Sequence, residues 1–222
     1  AKQQFSPGLE GVIATETNIS YLDVDAEEIV IRGYDLIELA QKKGYLDVVG
    51  LLLDGNLPST EGQRALEQQL QVEYELPDHV LSILKLLPQD THAMDALRTG
   101  ISALAGYDPD LEDRTADATR RKAIRLLAKV PTIVANSYHV KMQRDTVAPR
   151  RDLPYSANFL YMITGKEPSE SEATAFDQSL VVYSEHEMPN STFAARVIAS
   201  TLSDLYGALT GAVASLKGTL HG

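Results

Sequence analysis

Apolar residues recur at helical spacing through most of this chain. Such segments are 35–43, 45–53, 60–76, 78–87, 94–106, 116–144, 155–163 and 169–183, and proline or glycine ends most of them. Ser169 and Glu172 fit a capping box at the start of the last segment. Pro131 lies within 116–144, where it is expected to break or kink the helix. The pattern predicts roughly ten helices joined by short loops.

Residues 12–31 carry the only convincing strand pattern. Val12 and Ala14, then Ile19 and Tyr21, alternate with other residues, and Ile29 and Ile31 follow after a polar turn at 23–28. We expect a small hairpin or meander at the edge of the fold. The fold class is therefore all-α, a multi-helix domain with a small N-terminal β hairpin.

The longest helical pattern runs over residues 192–217. Its apolar positions are Phe193, Val197, Leu202, Leu205, Leu209, Val213 and Leu216. Ser191 is a suitable N-cap, and Gly218 suits a left-handed C-terminal cap. The pattern predicts one long helix with His186 before it and His221 on a turn beyond it.

This predicted helix is rich in small residues, including Gly207 and Gly211. Glycine inside a helix costs roughly 1 kcal/mol relative to alanine, so both positions need a packing reason. We expect the helix to be buried among other helices and to form a homodimer through 192–217. Arg196 and Asp204 interrupt the apolar run, so no membrane span is predicted.

Composition excludes several classes of protein. The net charge of −11 argues against nucleic-acid binding, which needs a basic face. The absence of cysteine excludes disulfides and thiolate metal sites. The run Glu185-His186-Glu187 is not a metal motif, because consecutive residues on a helix point in different directions. We therefore expect no metal site, and the lack of a signal-peptide pattern predicts a cytoplasmic protein.

His186 and His221 are the candidate functional residues. In one interpretation each ring stabilises a helix C-terminus, where a cation is favourable. In the other, both rings face one cleft that takes an anionic or carbonyl-bearing ligand. Spacing alone does not decide between these interpretations.

Several motifs together resemble the citrate synthase family. They are SEHEMPNSTFAAR (184–196), LKGTLHG (216–222), IVIRGYDLIELA (29–40), LPSTEGQ (57–63), THAMDALRTGISAL (91–104) and YSANFLYMITG (155–165). They follow the family order and span nearly all of the chain, which would make residues 1–222 most of a citrate-synthase-like large domain. The first motif resembles bacterial citrate synthases and 2-methylcitrate synthases.

The resemblance implies an enzyme that condenses oxaloacetate with an acyl-CoA and then hydrolyses the thioester. His186 matches the histidine that binds the 2-oxo acid, Asn190 matches the asparagine beside it, and His221 matches a catalytic histidine. The coenzyme A thioester is a substrate, and no permanently bound cofactor is implied. The substrate is acetyl-CoA, with propionyl-CoA as the alternative. The loop 144–151 carries three arginines, Arg144, Arg150 and Arg151. They either contact coenzyme A phosphates or lie in a solvated loop.

Two departures from the family pattern change these expectations. Thr219 stands where the family most often has proline in the turn before the catalytic histidine. The family's catalytic aspartate, second catalytic histidine and carboxylate-binding arginines follow that turn, whereas this chain stops at Gly222. We therefore expect a fragment that lacks the small domain and is inactive alone. A different class, a non-catalytic helical dimerisation scaffold, also stays open.

Overall fold

The computed structural model describes residues 6, 7 and 10–221. Within that part of the chain the fold is mostly helical with one small sheet, which confirms the predicted class. The strands are β1 (Ser20–Asp23), β2 (Glu28–Ile31) and β3 (Tyr34–Asp35). The helices are α1 (Leu36–Lys42), α2 (Tyr45–Asp54), α3 (Thr60–Gln71), α4 (Asp78–Leu86), α5 (Ala93–Leu104), α6 (Ala116–Lys141), α7 (Tyr155–Thr164), α8 (Glu170–Val182), α9 (Asn190–Ser200) and α10 (Leu205–Leu216). The two ends of the proposed domain, residues 1–5 and 222, lie outside the described residues.

The sheet is an antiparallel meander in the order β1-β2-β3, as the alternation of residues 19–31 predicted. Ile31 is fully buried and packs in a hydrophobic cluster with residues of α1 and α2 and with Val181 of α8. The alternation at Val12 does not become a strand, and its side chain is exposed. Among the described residues no strand pairs with the backbone there, and a strand requires such pairing.

Helix α6 lies between two hydrophobic clusters. Ile124 and Ala128 belong to one cluster, and Leu126 and Ile133 belong to the other. The helix continues through Pro131, so a break at this residue is wrong, and a kink there stays a prediction. Proline removes the hydrogen bond to the carbonyl four residues before it, that of Leu127. The buried Tyr155 hydroxyl replaces the missing donor, because it lies 2.8 Å from the Leu127 oxygen.

Loop 108–115 is anchored to α6 by a buried lysine. The Lys122 side chain is 3% exposed, and its ammonium donates to three backbone carbonyls of the loop at 3.1, 3.2 and 2.5 Å. Those carbonyls belong to Asp110, Leu111 and Asp113. A buried ammonium needs such partners, because desolvation without them is costly.

A second group on α6 connects this loop to α10. The Arg125 guanidinium donates to Asp108 and to Asp110, each at 2.7 Å. The buried Tyr206 hydroxyl of α10 donates to the same Asp108 carboxylate. Burial, together with that hydrogen bond, raises the pKa of Tyr206. The position of α10 relative to α6 is therefore set by hydrogen bonds as well as by apolar packing.

The prediction of one helix over 192–217 is wrong. Helix α9 ends at Ser200, Leu202 has a left-handed backbone conformation with φ 65°, and α10 begins at Leu205. The Asp204 carboxylate caps α10 by accepting from the Gly207 amide at 2.8 Å. Asp204 also explains the break, because aspartate favours an N-cap over a helix interior.

The predicted caps at the two ends are also different in the structure. Pro189, not Ser191, is the N-cap of α9. Helix α10 ends at Leu216, its C-cap residue Lys217 has a right-handed backbone, and Gly218 has no positive φ. His221 does lie on a turn beyond the helix, and its amide donates to the Gly218 carbonyl at 3.0 Å.

The break lets α9 fold back antiparallel onto α10. A Cβ atom added to Gly211 would lie 2.1 Å from Ile198 Cδ1, so the glycine provides space for this side chain of α9. Helix α10 packs on α5 and α6 and buries Tyr206, Ala208 and Val213, as expected for an interior helix. Helix α9 has no buried residue among those described, so the predicted burial is wrong for this half.

Leu202→Gly tests the break directly. A left-handed conformation costs a non-glycine residue roughly 1–2 kcal/mol, and the Leu202 side chain is largely exposed. We expect the substitution to raise the free energy of unfolding by about 1 kcal/mol in urea denaturation. Ala199→Gly, within α9, should instead lower it by up to about 1 kcal/mol. Destabilisation by both glycines would contradict the break.

Candidate functional site

The fold-back brings together the two ends of segment 192–217. A straight helix of this length would hold them roughly 38 Å apart. In the structure the Ser191 amide, at the start of α9, donates to His221 Nε2 at 3.1 Å. His221 therefore lies against the N-terminus of α9 and does not cap a helix C-terminus.

This hydrogen bond defines the protonation of one ring nitrogen of His221. Nε2 must be unprotonated to accept from the Ser191 amide, so a neutral ring carries its proton on Nδ1. In this tautomer the ring offers Nδ1–H as a donor.

Asn190 is held by the same end of α10. Its Oδ1 accepts from the Ser215 hydroxyl at 2.6 Å. With Oδ1 occupied, the amide nitrogen of Asn190 is the group available to a ligand, and the residue is exposed. Two consecutive residues, Asn190 and Ser191, therefore fasten the start of α9 to the end of α10 and to the turn beyond it.

His186 lies in the segment 184–189 between α8 and α9. It is exposed, and among the described residues its side chain has no hydrogen-bond partner. Helix α8 ends at Val182, so the expected position at the end of that helix is not observed. Four residues of chain reach at most about 14 Å, which keeps His186 near Asn190. Asn190 and His221 thus lie at the N-terminus of α9, and His186 precedes Asn190 by four residues.

Lys217 holds the turn that carries His221. Its ammonium donates to Asp95 of α5 at 2.6 Å, and this bond, with smaller contributions from neighbouring positive charges, lowers the pKa of Asp95. Sequence reasoning missed both Ser215 and Lys217. Ser215 was read only as a small residue, and nothing in the pattern indicated that α10 ends beside α5.

Two of the three arginines considered for coenzyme A binding, Arg150 and Arg151, are engaged with carboxylates, whereas Arg144 lies 6.0 Å from the Tyr138 ring centre. Arg150 donates to Glu167 at 2.6 Å and to Asp152, which raises its pKa, and it lies 5.5 Å from the Tyr161 ring centre. Arg151 donates to Glu75 at 3.2 Å. These contacts favour the solvated-loop interpretation for the free chain, and the coenzyme A contacts stay a prediction.

The described part of the chain contains no group of three or more histidine, aspartate or glutamate side chains placed to hold a metal ion. Among the same residues, no helix has the length and apolar character needed to cross a membrane.

Comparison with known proteins gives a consistent result. A family model described as "Citrate synthase, C-terminal domain" matches residues 8–222. Citrate synthase of Heyndrickxia coagulans is 61% identical over 219 residues, which is 99% of this chain and 59% of that protein. Citrate/2-methylcitrate synthase of Bacillus subtilis (strain 168) is 60% identical over 221 residues, 100% of this chain and 59% of that protein.

Solved structures with a similar fold are also citrate synthases. The chain superposes with a TM-score of 0.94 and 29% identity on citrate synthase from Thermoplasma acidophilum, covering 99% of this chain and 58% of that one. That structure is described as a ternary complex with carboxymethyl coenzyme A and oxaloacetate. The chain thus spans less than two thirds of the length of these relatives.

Asp95→Asn tests the anchor of the His221 turn through its pH dependence. A carboxyl with a lowered pKa stabilises the fold above its unfolded pKa, about 3.9, and this stabilisation is lost as pH falls through the lower folded pKa. We expect a lower Tm for the variant at pH 7, with the difference shrinking below about pH 4. Asp90→Asn, at an exposed residue before α5, is the control. An unchanged Tm difference at pH 3 would contradict the assignment.

Proposed function

Because this chain belongs to the citrate synthase family, we propose that it supplies part of the active site for condensing oxaloacetate with an acyl-CoA. In this proposal His186 and Asn190 hold the 2-oxo acid, and His221 acts on the thioester. The observation that carries the proposal is the 3.1 Å hydrogen bond between the Ser191 amide and His221 Nε2, beside Asn190. The crystal relative with oxaloacetate and a coenzyme A derivative supports the two substrate classes.

The chemistry needs a hydrogen-bond donor at the thioester oxygen. The α-carbon of a thioester is a very weak acid, so a base must remove its proton while a donor stabilises the enolate oxygen. A neutral His221, with Nε2 bonded to the Ser191 amide, offers Nδ1–H for this purpose. The resemblance assigns the base to an aspartate of the longer relatives.

Carbon–carbon bond formation then requires a polarised keto group. The enolate carbon attacks the keto carbon of oxaloacetate, and the keto oxygen gains negative charge. Donors from His186 and from the Asn190 amide nitrogen would stabilise that oxygen or hold the adjacent carboxylate. Water finally cleaves the thioester and releases coenzyme A as the thiol. No step requires a permanently bound cofactor.

Substitution of the two histidines in the full-length protein separates their roles. His221→Ala should lower kcat by about 10²- to 10³-fold with little change in oxaloacetate affinity, since it removes the hydrogen-bond donor that stabilises the enolate oxygen. His186→Ala should raise the Kd of oxaloacetate by about tenfold or more, because a hydrogen bond to a charged ligand is lost. Coenzyme A release and oxaloacetate titration measure these effects.

His79→Ala provides the matched control, since His79 is an exposed histidine of α4. It should change neither kcat nor oxaloacetate affinity. Equal oxaloacetate binding by the wild type and by His186→Ala would remove His186 from the site. Absence of oxaloacetate binding in the wild type would favour the alternative of a non-catalytic helical scaffold.

We also propose that the 222-residue chain is most of a large domain and is inactive alone. The chain covers 59% of the length of its two similar relatives, and the resemblance assigns the remaining catalytic residues to later positions in them. We expect no coenzyme A release from the isolated chain with oxaloacetate and acetyl-CoA. Turnover by the chain alone would contradict this proposal.

The acyl group is proposed to be acetyl, with propionyl as the alternative. The two relatives differ on this point, because one is named citrate synthase and the other citrate/2-methylcitrate synthase. One methylene in an apolar pocket changes specificity by roughly 10- to 200-fold. The ratio of kcat/KM for acetyl-CoA and propionyl-CoA, measured on the full-length protein, decides between them.

We propose that α9 is the part of segment 192–217 that forms the homodimer interface. Helix α10 already packs on α5 and α6, so α9 is the half of this segment with a face to offer. Val197 on α9 is 49% exposed, which supports an additional contact there. Val197→Glu should weaken association in sedimentation experiments if α9 forms the interface, and an unchanged dimer would exclude it.

A further inference from the structure

The segment that carries His186 is held by a carboxylate next to it. Glu185 Oε1 accepts from the Glu187 amide at 2.6 Å and from the Ser20 hydroxyl at 2.8 Å. One oxygen atom therefore connects the residues on both sides of His186 to strand β1. Ser20 and Glu185 are separated by 165 residues in sequence, so this is a tertiary contact and not a local turn.

The backbone beside His186 adopts a conformation that needs such support. Glu187 has φ 80°, in the left-handed region. This conformation costs a non-glycine residue roughly 1–3 kcal/mol and persists where surrounding contacts enforce it. The bond from the Glu187 amide to Glu185 is a contact of this kind. Because His186 has no side-chain partner of its own among the described residues, the adjoining backbone determines where its ring lies.

Strand β1, which provides Ser20, is connected to the hydrophobic core through its pairing with β2. Ser20 pairs with Ile31 of β2, and Ile31 is fully buried. Val181, near the end of α8, is also fully buried in the same cluster as Ile31. The sheet and the start of the His186 segment thus share one hydrophobic core, and the hydrogen bond between Ser20 and Glu185 extends that connection to the segment itself.

We propose that Ser20 and Glu185 are positioning residues for His186, which gives the N-terminal sheet a role in oxaloacetate binding. Neither residue is proposed to touch the substrate. The inference rests on the proposed function, because it concerns how His186 is oriented toward the 2-oxo acid. We therefore expect that removal of the Ser20 hydroxyl weakens oxaloacetate binding and leaves acyl-CoA binding unchanged.

The experiment uses Ser20→Ala, Ser20→Thr and Glu185→Ala in the full-length protein, with oxaloacetate and acetyl-CoA as the substrates. A hydrogen bond to a charged group corresponds to about tenfold or more in a binding constant. We expect Ser20→Ala and Glu185→Ala to raise KM for oxaloacetate about tenfold, with KM for acetyl-CoA unchanged. Ser20→Thr keeps the hydroxyl and should restore the wild-type KM.

Thr15→Ala is the matched control within the same N-terminal segment. The Thr15 hydroxyl accepts from Arg196 of α9 at 3.0 Å and, among the described residues, forms no hydrogen bond with residues 184–189. It should leave KM for oxaloacetate unchanged. The double variant Ser20→Ala with Glu185→Ala should be no worse than Glu185→Ala alone, because both remove the same bond.

The outcomes separate this inference from the proposed function. An unchanged KM for oxaloacetate in Ser20→Ala, with an active wild type, overturns the positioning role. Equal increases in KM for both substrates, or an equal effect of Thr15→Ala, also overturn it, since they indicate general loss of structure. A wild type that neither binds oxaloacetate nor releases coenzyme A would instead overturn the proposed function.

Discussion

The hydrogen bond between the Ser191 amide and His221 depends on a sharp reversal of the chain at residues 201–204. Without the left-handed conformation of Leu202 and the Asp204 cap, the two residues would lie at opposite ends of one helix. The reversal makes antiparallel neighbours of α9 and α10, and Gly211 allows them to approach closely. The small-residue composition of the segment thus serves contact between its own two halves.

The rest of the fold keeps this helical pair in place. Tyr206 fixes α10 to the buried Asp108, which Arg125 of α6 also binds, and Lys217 fixes the end of α10 to α5. The hydrogen bonds within a buried group of charges depend strongly on direction. Such a group therefore specifies one arrangement of helices better than apolar contacts alone. The donors and acceptors around His221 are consequently set by distant parts of the chain.

Backbone and side-chain groups position different residues of the candidate site. The Ser191 amide at the helix N-terminus donates to His221 Nε2, whereas the Ser215 hydroxyl orients the Asn190 amide. His186 differs from both, because the neighbouring backbone and the contact with β1 determine its position. Preorganised donors of this kind are effective in catalysis because they need no rearrangement during the reaction.

Local sequence patterns predicted most of the secondary-structure elements and the residues of interest. Helix periodicity, the Ser169 capping box and the alternation at 19–31 depend on neighbours a few positions apart, so they could be read directly. The motifs around His186, Asn190 and His221 identified the family. Three features could be found only in the folded chain. Segment 192–217 folds back on itself, and Ser20 forms a hydrogen bond with Glu185. The Tyr155 hydroxyl donates to the Leu127 carbonyl, which lacks a backbone donor because of Pro131. These features depend on contacts between residues far apart in sequence, and no local pattern contains them.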